Sequence, residues 1–299
     1  MSTTIDQSFV RDYERDVHHV FQRQGGFLRN SVRTKDNVVG YSTTFQKIGT
    51  GTATTKARHG VITPMNQDHT AIECPLDDFF AGDWVDKLDE AKVNHDERMA
   101  VAKGGAWALG RKVDDQILTA ADGTSESTIS WTVTSAAAIR NTLTQICEAL
   151  DDNDVPNDGQ RYAVLTPRGH SQACTFKEFS SSDYVSVTGM PFTEGAPVGG
   201  RWRNWNGVLW KVHTGCPGKG TATAKMFAYH KNSMGYATLK HAGNIAGNQG
   251  VSADITWHGD RHSHFVNHVM SGGACLIDTT GVIESNLNDT TAIATADTE

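Results

Sequence analysis

Apolar residues recur at spacings of three and four through residues 83–118. Trp84, Leu88, Ala91, Met99, Ala102, Ala106, Leu109, Val113 and Ile117 fall on one stripe, and only His95 fills an apolar slot in it. That period predicts a helix. Asp83 is placed to cap its start, and Asp86 lies in the first turn, where the helix dipole favours a negative charge. At about 1.5 Å per residue the segment would run roughly 54 Å, longer than most globular helices. Its charges exclude a membrane span, and no sustained heptad supports a coiled coil. Gly104 and Gly105 predict a bend in the middle. The pattern leaves one long helix lying across a flat, extended molecule.

Residues 37–80 follow a different pattern. The run "NVVGYSTTFQKIGTGTATTKARHGVITPMNQDHTAIEC" is rich in threonine, glycine and β-branched residues, and it alternates in "YSTTFQKI" and "TAIEC". Turn signals fall at Gly49, Gly51, Gly60 and Pro64. These features predict long, twisted hairpin strands with few large apolar side chains. Such a hairpin cannot bury enough surface alone, and so long a segment with so little core is unusual in a compact domain. Its covering surface is expected on another copy of the protein. Ahead of it, Phe9, Tyr13, Val17, Val20 and Phe21 give residues 1–36 a weak helical pattern. Too few apolar positions are present for a core, which predicts either a flexible terminus or an arm packed on a neighbour.

Residues 134–240 read as an α/β unit. Thr134 or Ser135 can cap a helix carrying Ile139, Leu143, Ile146 and Leu150, which ends in the acidic turn "DDNDVPNDG". "RYAVLTP" predicts a buried strand, "RGHSQACTFKEF" a short helix and "TEGAPVGGRWRNWNG" a loop; "VLWKVHT", "KMFAYHK" and "GYATLK" predict three more strands. After the glycine-rich link "HAGNIAGNQG", the segments "VSADITWH" and "FVNHVMSGGACLID" predict two further strands. The tail "NLNDTTAIATADTE" has no periodicity and is expected to be loose.

Composition narrows the function classes. The chain has 299 residues, 38% hydrophobic and 20% charged, enough for a real core. The net charge of −7 argues against a protein built to grip nucleic acid phosphates. There is no run of 18 apolar residues, and "MSTTIDQSFVRDYERD" has no apolar signal-peptide core, so a cytoplasmic protein is expected. Cys74, Cys147, Cys174, Cys216 and Cys275 are scattered and form no C-x-x-C pair. They are read as small buried hydrophobes rather than a disulfide or zinc framework.

Chemical motifs are sparse. "GCPGKGT" lacks the spacing to wrap a phosphate, and no G-x-S-x-G or H-E-x-x-H occurs. "TPRGHS" sets His170 beside Ser171, but adjacency in sequence is not triad geometry. "DDNDVPNDG" has the acid density of a calcium loop without the EF-hand order, and reads as a solvated turn. The densest cluster is "WHGDRHSHFVNH", where His258, Asp260, His262, His264 and His268 all hold even positions. One unbroken strand would turn them to a single face. His262 and His264 could then chelate zinc, with His268 as a third candidate ligand. However, "GD" and "HSH" sit where a hairpin must turn, so the register is expected to break. The favoured reading is a polar turn or intersubunit surface; a metal-dependent enzyme would rest on this cluster alone.

The order of parts is arm, extended hairpin, very long helix, α/β unit and returning strands. This order resembles the major capsid protein of tailed bacteriophages, with its Hong-Kong-ninety-seven-like fold of class α+β. The stretches "ECPLDDFFAGDWVDKLDEAKVNHDERMAVAKGGAWALGRKVDDQIL", "ALDDNDVPNDGQRYAVLTP" and "VSADITWHGDRHSHFVNHVMSGGACLIDTTGV" carry the likeness, which spans roughly residues 8–285. It implies an N-terminal arm (1–36) and an extended loop, a β-hairpin, reaching over a neighbouring subunit (37–80). It further implies a peripheral domain (81–133 and 241–289, with spine helix 83–118), an axial α/β domain (134–240) and a loose C-terminal tail (290–299).

The resemblance also implies a function: self-assembly into the icosahedral shell around the double-stranded DNA of a tailed phage. It implies no enzyme activity, no catalytic residue and no cofactor. An encapsulin-like nanocompartment shell is the alternative within the same fold. Expected partners are many copies of the chain as hexamers and pentamers, a portal, a possible decoration protein, and weakly contacted DNA. No long helical extension precedes the arm, so a separate scaffolding protein or prior removal of that segment is expected. Some family members crosslink through Lys–Asn isopeptide bonds, and Lys47 and Lys56 lie on the extended loop, although no matching Asn or Glu is found. The intersubunit candidates are Lys47, Lys56, Arg58, His59, His262 and His264.

Overall fold

The computed structural model describes residues 22–90, 97–175, 202–240 and 251–293. The strands are β1 (Arg33–Val38), β2 (Ser42–Ile48), β3 (His69–Pro75), β4 (Asp77–Asp86), β5 (Ile129–Ser130), β6 (Arg161–Leu165) and β7 (Arg203–Trp205). They continue as β8 (Val208–Val212), β9 (Ala224–His230), β10 (Met234–Leu239), β11 (Val251–His258), β12 (Ser263–Leu276) and β13 (Val282–Leu287). The helices are α1 (Lys87–Glu90), α2 (Glu97–Ala121), α3 (Ala136–Asp152) and α4 (Pro167–Ala173).

Two sheets and a separate hairpin result. The first sheet has the order β1-β10-β12-β11, with β4 also paired to β12; the second has the order β5-β13-β9-β6-β8-β7. Among the described residues, strands β2 and β3 pair only with each other. The sheets meet at β9, whose side chains alternate. Met226 and Ala228 join the core under α3, with Ile139, Leu143, Ile146, Leu150 and Trp210. Phe227 and Tyr229 face the other way, into the core of Leu109, Val113, Ile117 and Leu118 from α2. The second sheet is therefore covered on one face by α3 and on the other by the C-terminal half of α2.

Helix α3 forms as its pattern predicts. Ile139, Leu143, Ile146 and Leu150 sit three and four apart and are buried, and the Ser135 hydroxyl caps the helix by accepting from the Ala138 amide at 3.2 Å. The long helix departs from expectation. Residues 77–86 are strand, paired residue for residue with β12 from Asp77↔Gly272 to Asp86↔Ser263. Ten ladder positions outweigh a helical spacing that rests there on Trp84 and Leu88 alone. Trp84 and Leu88 are consequently 39% and 60% exposed rather than packed on the sheet, and Asp83 caps no helix. Ala91 and His95 lie outside the described residues. Burial on α2 begins at Leu109, while Met99 and Ala106 are exposed. The helix runs unbroken through Gly104 and Gly105. Gly105 serves close approach instead: a Cβ there would lie 2.6 Å from Nδ1 of His268.

The topology also divides the strands differently from contiguous boundaries. β10, inside 134–240, joins the first sheet; β13, inside 241–289, and β5, inside 81–133, join the second. Part of the expected arm is β1, parallel to β10. Leu28 and Val32 just before it are buried in the α2 core. The weak helical pattern of residues 9–21, most of the 193–207 loop and the 241–250 link lie outside the described residues. The tail is tied down at its start, where Gln172 Nε2 donates to the carbonyl of Ala292 at 2.9 Å.

Ile117 is wholly buried in the α2 core. Ile117→Ala should therefore lower unfolding stability by about 2–5 kcal/mol, measured by denaturant titration. Leu88→Ala, at an exposed position, should stay within about 0.5 kcal/mol of the parent.

Candidate assembly interface

The β2–β3 hairpin is firmly seated at its root. Phe45 and Cys74 are buried in a small core with Val38, Ala237, Cys275 and Ile277. The Phe45 ring fits where Gly235 has no side chain; a Cβ there would lie 2.8 Å from it. Lys47 Nζ reaches Asp278 at 2.8 Å, fixing the hairpin to the turn before β13. The register runs from Ser42↔Pro75 to Ile48↔His69 and then stops.

Beyond it, residues 49–68 form no strand. Val61 is 92% exposed and Ile62 71%, with Ile48 and Met65 also open. Residues 49–67 carry Lys56, Arg58 and His59, all exposed, and no acidic residue. Among the described residues, nothing covers this apolar, cationic tip of an acidic chain.

The histidine hairpin places its side chains on both faces. Residues 259–262 make the turn, with His262 in the left-handed region at φ 51°. Every β11–β12 pair joins an even-numbered to an odd-numbered residue, as in Trp257↔His264 and His258↔Ser263. Even positions on the two strands therefore face opposite ways. His258 packs edge-on against Trp84 at 5.0 Å, on the side of Phe265. His262 and His264 pack on Trp257 instead, at 5.3 and 4.9 Å. Arg261 lies over Trp84 and Lys87 over Trp257. His268 shares a strand face with His264 but is about 13 Å further along, buried beneath Gly105 with Nδ1 unpartnered. Among the described residues, no group of three or more His, Cys, Asp or Glu could hold a metal ion.

The remaining polar candidates serve the fold. The Ser171 hydroxyl bonds back to the Pro167 carbonyl at 2.9 Å. His170 faces Arg203 at 3.0 Å, and burial together with that guanidinium pushes its pKa down to about 4. Burial pushes the nearby Cys174 thiol up, the opposite of an activated thiolate–imidazolium pair. In the acidic turn, Asp151 pairs with buried Arg161 at 2.7 Å and Asp158 with His230 at 3.2 Å.

Sequence reasoning missed the buried dyad of Asp114 on α2 and His213 after β8, 3.1 Å apart. His213 Nδ1 accepts from the Gly215 amide at 3.1 Å, so the Nε2 proton goes to Asp114. Asp114 also accepts from the Leu28 amide at 3.0 Å. With both ring nitrogens engaged, this imidazole is a clamp and offers no free base to a nucleophile.

The Lys47–Asp278 pair has a definite pH signature. Burial raises the Asp278 pKa, but hydrogen bonds from Lys47 and the Thr280 hydroxyl outweigh it and hold the carboxyl below its ordinary value. The contribution is thus present above the unfolded carboxylate pKa of about 4 and is lost as pH falls through the lowered folded value. Melting temperature measured from about pH 7 down to about pH 3 should fall more steeply for the parent than for Asp278→Asn. Parallel curves would show that the pair holds nothing.

Solved structures share this architecture. The capsid of the cyanophage P-SCSP1u is 14% identical, with 97% of this chain and 96% of that chain covered and a TM-score of 0.72. A chain of Mycobacterium phage Che8 is 15% identical over 95% and 98%, with a TM-score of 0.67. The holo-SrpI encapsulin complex from Synechococcus elongatus PCC 7942 is 8% identical over 100% and 99%, with a TM-score of 0.64. At these identities the likeness establishes the fold, the Hong-Kong-ninety-seven-like capsid fold. No curated protein sequence matches significantly. The family model described as phage capsid protein matches residues 5–288, and by that near-complete match the chain belongs to the phage capsid protein family.

Proposed function

We propose that many copies of this chain close into an icosahedral shell around the double-stranded DNA of a tailed phage. The observation that carries this reading is the hairpin: its root is locked by Phe45, Cys74 and Lys47, while its tip is apolar, cationic and covered by none of the described residues. A tip of that kind is complete only on a neighbour. Contacts of one surface with a different surface of the next copy generate rings and shells, and many modest contacts act together.

In this reading Lys56, Arg58 and His59 lie over the adjacent subunit, and His262 and His264 lie where three subunits meet. Lys47 is engaged within its own chain, which leaves Lys56 as the freer amine of the loop. The six-stranded sheet would surround the fivefold and sixfold axes, with the other sheet at the periphery. A separate scaffolding protein and a portal would guide closure, with a decoration protein as a possible addition. The net charge of −7 gives weak affinity for DNA, which suits a container that is filled and emptied. No step in this function requires a catalytic residue or cofactor.

Electron microscopy of the expressed chain tests the reading: closed shells, or hexamers and pentamers, support it, and a stable monomer overturns it. Replacing residues 50–66 by a short Gly-Ser linker keeps the root and removes the tip. The variant should remain soluble, keep its melting temperature as a subunit and fail to close shells. Normal shells from it would remove the hairpin from the assembly mechanism.

A further inference from the structure

Two glycines let the extended hairpin descend onto the first sheet. A Cβ on Gly273 would lie 1.9 Å from the Pro75 carbonyl oxygen, and one on Gly235 would lie 2.8 Å from the Phe45 ring. Pro75 and Phe45 belong to β3 and β2; the glycines belong to β12 and β10. The approach seats Cys74 of β3 beside Cys275 of β12 in one small buried core. Both thiols are free, and each is close enough to shift the pKa of the other, Cys74 upward and Cys275 downward. Cys147 and Cys216 belong to the other two cores.

We propose that Cys74 and Cys275 are an oxidisable dithiol whose disulfide pins the root of the extended hairpin to the sheet. The oxidant is a low-molecular-weight disulfide such as oxidised glutathione. Cys275 is the entry point, being 8% exposed where Cys74 is fully buried. The neighbouring Cys74 thiol lowers the Cys275 pKa against the effect of burial, while the Cys275 thiol and burial both raise the pKa of Cys74. A thiolate does the attacking, so the thiol of lowered pKa, on the less deeply buried residue, attacks first.

Cys275 attacks the glutathione disulfide, forms a mixed disulfide and releases one glutathione. Cys74 gives up its proton, attacks the Cys275 sulfur and displaces the second. Two electrons and two protons pass from the protein dithiol to the oxidant, which leaves as two thiols. A reducing cytoplasm keeps the pair open and an oxidising medium closes it. The hairpin root is then adjustable while copies assemble and fixed after release. The link spans most of the chain, so it also restricts the unfolded state strongly.

The test uses assembled particles and, separately, unassembled subunits of the parent chain. Each is incubated with oxidised glutathione, alkylated and digested, and linked peptides are identified by mass spectrometry. Melting temperature is recorded before and after dithiothreitol. The Cys74 peptide should be joined to the Cys275 peptide, with Cys147 and Cys216 unlinked. Melting temperature should rise on oxidation and return on reduction, and Cys275→Ser should show neither change. Three results would overturn the proposal: both thiols recovered free, Cys275 held as an unresolved glutathione adduct, or a formed link that leaves melting unchanged. Reading the link on unassembled subunits keeps this outcome independent of whether copies form shells.

Discussion

A carboxylate with no solvent exposure cannot stand alone, and Asp114 is such a group in the C-terminal half of α2. Leaving a buried charge unpaired costs several kcal/mol, so the surrounding chain must answer it. It does so from two directions: the Leu28 amide arrives from the N-terminal segment and His213 from the end of β8. Leu28 is thereby fixed in the α2 core, and β1 follows from a defined starting point. Arg23 adds a pair with Asp115 at 2.5 Å, and the Gly26 amide reaches the Gly110 carbonyl at 2.9 Å, so the segment before β1 crosses the helix at a glycine. One buried acid thus ties together the segment before β1, α2 and the second sheet.

The extended hairpin depends on that frame. Its root packs on β10 and β12, which are themselves held against the C-terminal half of α2. A stiff root with an uncovered tip is a mechanical statement: the loop can be aimed, and its angle to the sheet is set by contacts within one chain. Aiming matters for a closed shell, because small errors in angle repeat at every copy. The same core that aims the loop contains the two thiols, so a bond between them would act where angle is decided.

How much of this was legible depended on whether a pattern was local. Helix α3 was readable because Ile139, Leu143, Ile146 and Leu150 all bury one face and Ser135 caps it. The strands β6, β8 and β9 were readable as short apolar runs closed by turns. Strand β1 was not, because five of its six residues are exposed and polar, and its place is set by backbone pairing with β10. Strand β13 hides buried Glu284 and Ser285 inside an apolar run, with Glu284 answered by Lys225 from β9. The start of the long helix was misread because Trp84 and Leu88 also fit a helical spacing, and only β12, far along the chain, reveals residues 77–86 as strand. The Lys47–Asp278 and Asp114–His213 pairs join distant positions and leave no local trace.

The histidine cluster shows how one turn decides chemistry. Five even-numbered ligand types in twelve residues would share a face if the chain ran straight. The four-residue turn pairs even with odd, so the cluster splits before any metal can collect it. What replaces chelation is the same arrangement on both faces: a half-exposed tryptophan, a histidine at its edge (His258 on Trp84, His262 on Trp257) and a cation over its ring. Cation–ring contacts are still worth about 0.5–1 kcal/mol at exposed sites and need no sealed pocket. Tryptophan offers a large apolar surface with a polar rim, the composition favoured where one molecule meets another. A tip equipped alike on both faces can therefore offer contacts to either side, as the proposed junction of copies would require.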